Sequence, residues 1–111
     1  MNMASEKVMV ITEENFEREV VQSEVPVLLD FWAGWCAPCR MLSPTIDSLA
    51  DELEGKIKVG KVNVDEQPNL AAAFQVMSIP TVTLTRGKQM LHQSIGVKTK
   101  DALKKEIEAR I

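Results

Sequence analysis

The chain has 111 residues, a length that fits one domain spanning 1–111 and leaves little room for a second core. With 45% apolar residues and a formal net charge of −3, it can bury a core unaided and lacks the basic field needed to grip nucleic acid or a membrane surface. No apolar stretch approaches the roughly 18 residues of a membrane span, and the opening MNMASEKVMVITEE lacks the basic start, long apolar run and cleavage site of an export signal, so a cytoplasmic location is expected.

Residues 7–11 are short and mostly apolar and predict an edge strand. Thr12 can cap a following helix, with Glu13 and Glu14 favoured at its positive end. Phe16, Glu17, Val20 and Val21 give that helix a partly apolar face, which runs out near Ser23. Residues 25–32 are continuously apolar apart from Asp30, as in a central strand covered on both faces, with Pro26 near the start where a missing donor is tolerated. A helix opens near Pro38 and carries Met41, Leu42, Ile46, Leu49, Ala50 and Leu53 at helical period. Pro44 should kink it rather than end it, and Gly55 is its stop. Residues 57–64 predict another strand and 67–74 a short helix. Residues 81–85 and 89–95 read as a hairpin around a tight turn at 86–88. Thr99 can cap a last helix in which Leu103, Ile107 and Ile111 recur every four residues, with Lys104, Lys105 and Glu108 facing water. The order β-α-β-α-β-α-β-β-α implies an α/β fold with helices on both faces of a mixed sheet.

The sharpest feature is the run Trp35, Cys36, Ala37, Pro38, Cys39, Arg40, directly after a buried strand and opening a helix. The only two cysteines lie three positions apart, so a bond between them would constrain little chain. That spacing suits a reversible dithiol in a reducing compartment better than a secreted staple. At a helix N-terminus the first thiol meets free amide donors and the positive dipole end, which lowers its pKa from about 8.5. Cys36 is then the attacking thiol and Cys39 the resolving one, with Pro38 tolerated where the helix needs no amide hydrogen. The competing reading is half of a zinc site. Such a site needs four ligands, and the chain offers one further soft candidate, His92, which reads as an exposed strand residue. No metal is therefore expected.

Asp30 would bury a carboxylate, which costs several kcal/mol unless it is paired or protonated. A raised pKa would suit it to exchange a proton with Cys39. The alternative is a strand-end aspartate satisfied by amides or water. Lys61 could neighbour Asp30 across the sheet or stand solvated on its strand. At Ile79–Pro80 a cis bond could hold the chain close to the dithiol, block metal capture there, and offer the Ile79 backbone to an extended client. Trp35 is expected on the surface beside Cys36, Trp32 below it, and Phe31 and Phe74 in the core. Gly96 could leave room for a client backbone or serve as a plain turn glycine.

Over essentially its whole length the sequence resembles the thioredoxin family. The resemblance is carried by Asp30, Phe31, Trp32 and Ala33; by Trp35, Cys36, Pro38, Cys39, Arg40 and Met41; by Pro44, Lys61, Asn63, Val64 and Asp65; and by Ile79, Pro80, Thr81, Gly87, Lys88 and Gly96. It implies a thioredoxin fold, with a central mixed sheet of about five strands flanked by four helices. It also implies a general protein disulfide reductase without a cofactor beyond a redox-active Cys36–Cys39 disulfide, and the small fold with its exposed chemistry favours a monomer. Electrons would come from a thioredoxin reductase, with NADPH or ferredoxin behind it, and pass to clients such as ribonucleotide reductase, peroxiredoxin or methionine sulfoxide reductase. Within the family pattern Asp30 is the buried acid, Pro80 is cis, and Trp35, Ala37, Pro38, Ile79 and Gly96 belong to the client groove, with Lys61 near the acid.

Four places depart from the pattern. Ala37 stands where glycine is usual, which bears on thiolate stability and potential. Gly34 replaces a larger residue. Met77 and Ser78 precede Ile79 where arginine followed by glycine or serine is common. The stretch Thr83, Leu84, Thr85, Arg86, Gly87 lacks the expected phenylalanine and one residue, predicting an altered hairpin that is less apolar on one face. Two rival functions follow. One is a protein disulfide oxidant or isomerase, and the other a redox-insensitive binding subunit that uses the groove alone.

Overall fold

The continuous apolar run becomes strand β2 (Val27–Trp32), buried throughout except at half-buried Trp32. The computed structural model describes residues 6–111. Residues 1–5, on which the export reading partly rests, lie outside the described residues. The other elements are β1 (Val8–Val10), a π-helical turn (Glu17–Val21), α1 (Ala37–Glu52), β3 (Lys58–Asn63), α2 (Pro68–Ala73), β4 (Thr81–Arg86), β5 (Gln89–Ile95) and α3 (Lys100–Glu108). The five strands form one sheet in the order β1-β3-β2-β4-β5, which puts β2 in the middle and β1 at an edge. The β1–β3 and β3–β2 pairs are parallel, and the β2–β4 and β4–β5 pairs are antiparallel. Four helical segments flank this mixed sheet, the architecture the resemblance implied.

Alternation along β2 divides the core in two. Leu28 packs with Leu42, Ile46 and Leu49 of α1, with Leu53 just past its end, and with Leu103 and Ile107 of α3. Val27, Leu29 and Phe31 point the other way, toward Val20 of the π-helical turn and Leu70 of α2. Pro44 inside α1 costs about 3 kcal/mol, whereas each fully buried leucine or isoleucine contributes about 1.5–3 kcal/mol. The stripe of four outweighs the proline, and the helix runs through it to Glu52. Gly55, at φ 86°, follows the helix end in a conformation that suits glycine.

The helix expected after Thr12 takes a wider form. The Thr12 amide donates to Asn15 Oδ1 (2.8 Å), the Asn15 amide returns a bond to Thr12 Oγ1 (3.3 Å), and the Gln22 amide then bonds the Glu17 carbonyl five residues back. Gly60 does work that its place in the strand pattern did not reveal: a Cβ there would lie 2.4 Å from Ile11 Cγ1. Its lack of a side chain lets Ile11 pack over β3.

The hairpin turns at Gly87 (φ 60°) and has an irregularity between Leu84 and Thr85. Thr81, Thr83 and Thr85 are buried and share the sheet face of Phe31, Leu29 and Val27, so this face is less apolar, as predicted. Thr99 Oγ1 caps α3 by accepting from the Ala102 amide at 3.1 Å. Two expectations fail at this end of the chain. Ile111 falls beyond the helix and is 43% exposed, because α3 stops at Glu108 and the period has no helix to follow. His92 is half-buried rather than exposed, since its Nε2 pairs with Glu106 Oε1 on α3 at 2.6 Å.

Candidate active site

Strand β2 delivers the chain into a short turn, and α1 begins at once. Cys36 is the residue before the first helical position, with φ −95° and ψ 104°, and Pro38 sits in the first turn. Cys36 and Cys39 form a disulfide with Cα atoms 5.3 Å apart. The Cys39 amide donates to Cys36 Sγ at 3.2 Å, so a helix-start N–H is already aimed at the first sulfur. Both cysteines are buried with Ala33, against Trp32, Val64 and Ile79. Ala37, Pro38 and Arg40 are exposed around them. Arg40 Nη1 donates to the Gly34 carbonyl at 2.7 Å, tying back the turn that Gly34 leaves without a side chain.

Trp35 is 69% exposed and is held by its Nε1–H donating to Asp65 Oδ2 at 2.9 Å. Asp65 is fixed in turn through its amide, which donates to Asn63 Oδ1. With Val64, Ala71, Val76, Met77, Ser78 and Ile79, Trp35 lines a groove of about 400 Å³. Met77 is 92% exposed on its rim. The Ile79–Pro80 bond is cis. Thr81 Oγ1 donates to the Ser78 carbonyl at 2.6 Å, and the Gly96 amide donates to the Pro80 carbonyl at 2.9 Å. Gly96 has φ 89° and no atom within 4 Å of where a Cβ would stand, so the space above it is open.

Behind the disulfide lies a second cavity of about 170 Å³, lined by Asp30, Trp32, Cys39, Arg40, Ser43 and Lys61. Asp30 is buried on β2, and Lys61 is its register partner on β3. Burial pushes the Asp30 carboxyl up from 3.8 to about 7, with Lys61 opposing the shift and the charge of Asp47 adding to it. Asp30 Oδ1 has no hydrogen-bond partner among the described residues. The Lys61 ammonium donates to Ser43 Oγ and lies 3.7 Å from Asp47 Oδ1.

The structure therefore gathers Cys39, Asp30 and Lys61 around one cavity, joins Cys36 to Cys39, and places Trp35 and Ile79 together in the groove. Three neighbours escaped the sequence reading: Asp65 as the anchor of Trp35, and Ser43 and Asp47 as partners of Lys61. A signal for the last two was present, since positions 39, 43 and 47 recur every four residues along one face of α1. Among the described residues no group of three His, Cys, Asp or Glu side chains is placed to hold a metal ion. Nor is any described helix long and apolar enough to cross a membrane.

Comparison with known proteins agrees with this geometry. The thioredoxin family model matches residues 7–109. Thioredoxin 1 of Nostoc sp. is 45% identical over 101 residues, covering 91% of this chain and 94% of that protein. Thioredoxins of Rickettsia felis (45% identical, covering 84% of this chain and 89% of the relative) and Chlorobaculum thiosulfatiphilum (44%, covering 90% and 93%) are similar to it as well. With a disulfide at the start of the helix that leaves the central strand, and a family match over nearly its whole length, the chain belongs to the thioredoxin family and is a thiol–disulfide oxidoreductase.

Proposed function

We propose that the protein is a general reductant of protein disulfides in a reducing, cytoplasmic compartment, taking electrons from a thioredoxin reductase. The observation that carries this reading is the Cys36–Cys39 pair at the start of α1, with the Cys39 amide on Cys36 Sγ and Asp30 in the cavity behind Cys39. In the reduced protein the amide and the helix dipole favour the Cys36 thiolate. That thiolate attacks one sulfur of a client disulfide, forms a mixed disulfide, and expels the other client sulfur as a thiolate. Cys39 then gives its proton to the Asp30 carboxylate and attacks Cys36 Sγ. The Cys36–Cys39 bond forms, the second client sulfur leaves, and two electrons have passed from the dithiol to the client. Asp30 can take and release that proton because its carboxyl sits near neutrality. Lys61 moderates the charge beside it.

Trp35, Ala37, Pro38 and Ile79, with the space over Gly96, form the client surface, and cis-Pro80 positions Ile79 to pair with an extended segment. Clients of the kind represented by ribonucleotide reductase, peroxiredoxin or methionine sulfoxide reductase fit an open apolar groove beside a dithiol.

The reduction potential of the Cys36–Cys39 pair tests the reading, by equilibration in redox buffers followed through the fluorescence of Trp32 and Trp35. A value near ~−270 mV supports a reductant and means that Ala37 is tolerated. A value nearer ~−180 to −120 mV would move the protein to isomerase or oxidant chemistry. Cellular function that survives in the Cys36→Ser, Cys39→Ser double variant would instead favour a redox-insensitive binding subunit.

A further inference from the structure

Lys61 stands opposite Asp30 in the β2–β3 register, yet its ammonium is not directed at that carboxylate. It donates to Ser43 Oγ and lies 3.7 Å from Asp47 Oδ1, while Asp30 Oδ1 has no hydrogen-bond partner among the described residues. Ser43 and Asp47 stand one turn apart on α1, in line with Cys39. The Lys61 and Asp47 side chains are both largely shielded, at 18% and 15% exposed, so solvent screens this arrangement little.

We propose that Ser43 and Asp47 are positioning residues, a latch on α1 that holds the Lys61 ammonium away from Asp30 and so leaves Asp30 free to carry the proton of Cys39. The proposal rests on the reading of Asp30 as a proton carrier. A cation that closes on a carboxylate typically lowers its pKa by 1–3 units. A lysine released onto Asp30 would make it a permanent anion, unable to hold a proton near neutrality. Asp47 acts twice in the same direction, by retaining the lysine and by placing its own negative charge near Asp30. The groups facing Asp30 are Lys61 from β3 and Cys39, Arg40 and Asp47 from α1, whereas its β4 register partner, Val82, brings no charge.

The test is an NMR titration of the Asp30 carboxyl carbon, paired with the pH profile of single-turnover reduction of a disulfide substrate. Wild type should titrate near pH 7, as burial dictates. Ser43→Ala should lower the midpoint by roughly half a unit or more, Asp47→Asn should lower it too, and the limb of the rate profile that reports Asp30 should move by the same amount. Ser43→Thr, which keeps the hydroxyl, should titrate like wild type. In a Lys61→Met background Ser43→Ala should change nothing, because there is no ammonium to release. A wild-type midpoint near 7 with no shift in Ser43→Ala would overturn the latch and leave the Asp30 reading standing. An equal shift with and without Lys61 would also overturn it, since Ser43 would then act by some route other than the lysine. A wild-type midpoint near 4 would overturn both.

Discussion

Helix α1 presses two different stripes onto the same sheet. Leu42, Ile46, Leu49 and Leu53 meet Leu28, Val59, Val82 and Leu84 in a dry apolar contact. A step around the helix, Cys39 and Ser43 line a small cavity with Asp30 and Lys61, and Asp47 lies 3.7 Å from Lys61. The first stripe holds the helix in place by burial alone, and its members are interchangeable within limits of volume. The second holds charges in a set relation, where a change of one hydroxyl matters more than a change of one methylene. One element thus docks by shape and works by electrostatics, and the two jobs fall on neighbouring faces.

Three measurements would break or sharpen that contrast. The first probes the acid that the polar stripe faces, Asp30 on β2. With the Asp30 carboxyl raised from 3.8 to about 7, the native protein binds a proton that the unfolded chain releases. The stabilisation is fully present below about pH 4 and is lost as pH rises through about 7, so it amounts to on the order of 4 kcal/mol across that window. Asp30→Asn should remove this slope. Its stability relative to wild type, from denaturant unfolding at pH 4 and pH 8, should climb by that amount, and a flat difference would mean that Asp30 is ionised throughout. On the apolar stripe, Leu49→Ala should cost about 2–5 kcal/mol in urea unfolding with no added pH dependence. A loss under about 1 kcal/mol would show that the site collapses to fill the gap. Met41, expected at the head of the apolar stripe, is instead 69% exposed and belongs to neither stripe. Met41→Ala should stay within about 0.5 kcal/mol of wild type by the same assay.

The apolar stripe was legible in the sequence because burial repeats with the helix, and the pattern from Leu42 to Leu53 survives even Pro44. The buried acid was legible for a related reason: a lone aspartate inside an otherwise apolar strand has nowhere to go but the core. Partnerships between distant polar residues were not. Ser43 and Lys61 are 18 positions apart, and nothing in either residue names the other until α1 is packed over β3. His92 on β5 and Glu106 on α3 likewise meet only when helix packs on sheet, which is why a histidine expected in water is half-buried and hydrogen-bonded to a glutamate. Gly60 stood out as no more than one position of the strand at residues 57–64, since its purpose lies in Ile11, just past the end of β1 and four elements earlier. The π-helical turn escaped because a hydrophobic face of two valines fits a wide helix as well as an α-helix.

The disulfide closes between residues only three positions apart, inside the first turn of one helix. Making or breaking it therefore demands no rearrangement of the distant chain, so such a carrier can keep one outline whether loaded or empty. A donor that must select the empty form and a client that must select the full one can gain little from overall shape. The message is written in a few atoms around Cys36, and partners must read it through the reaction itself. Traffic is then steered by which sulfur can be attacked, more than by which conformation can be recognised.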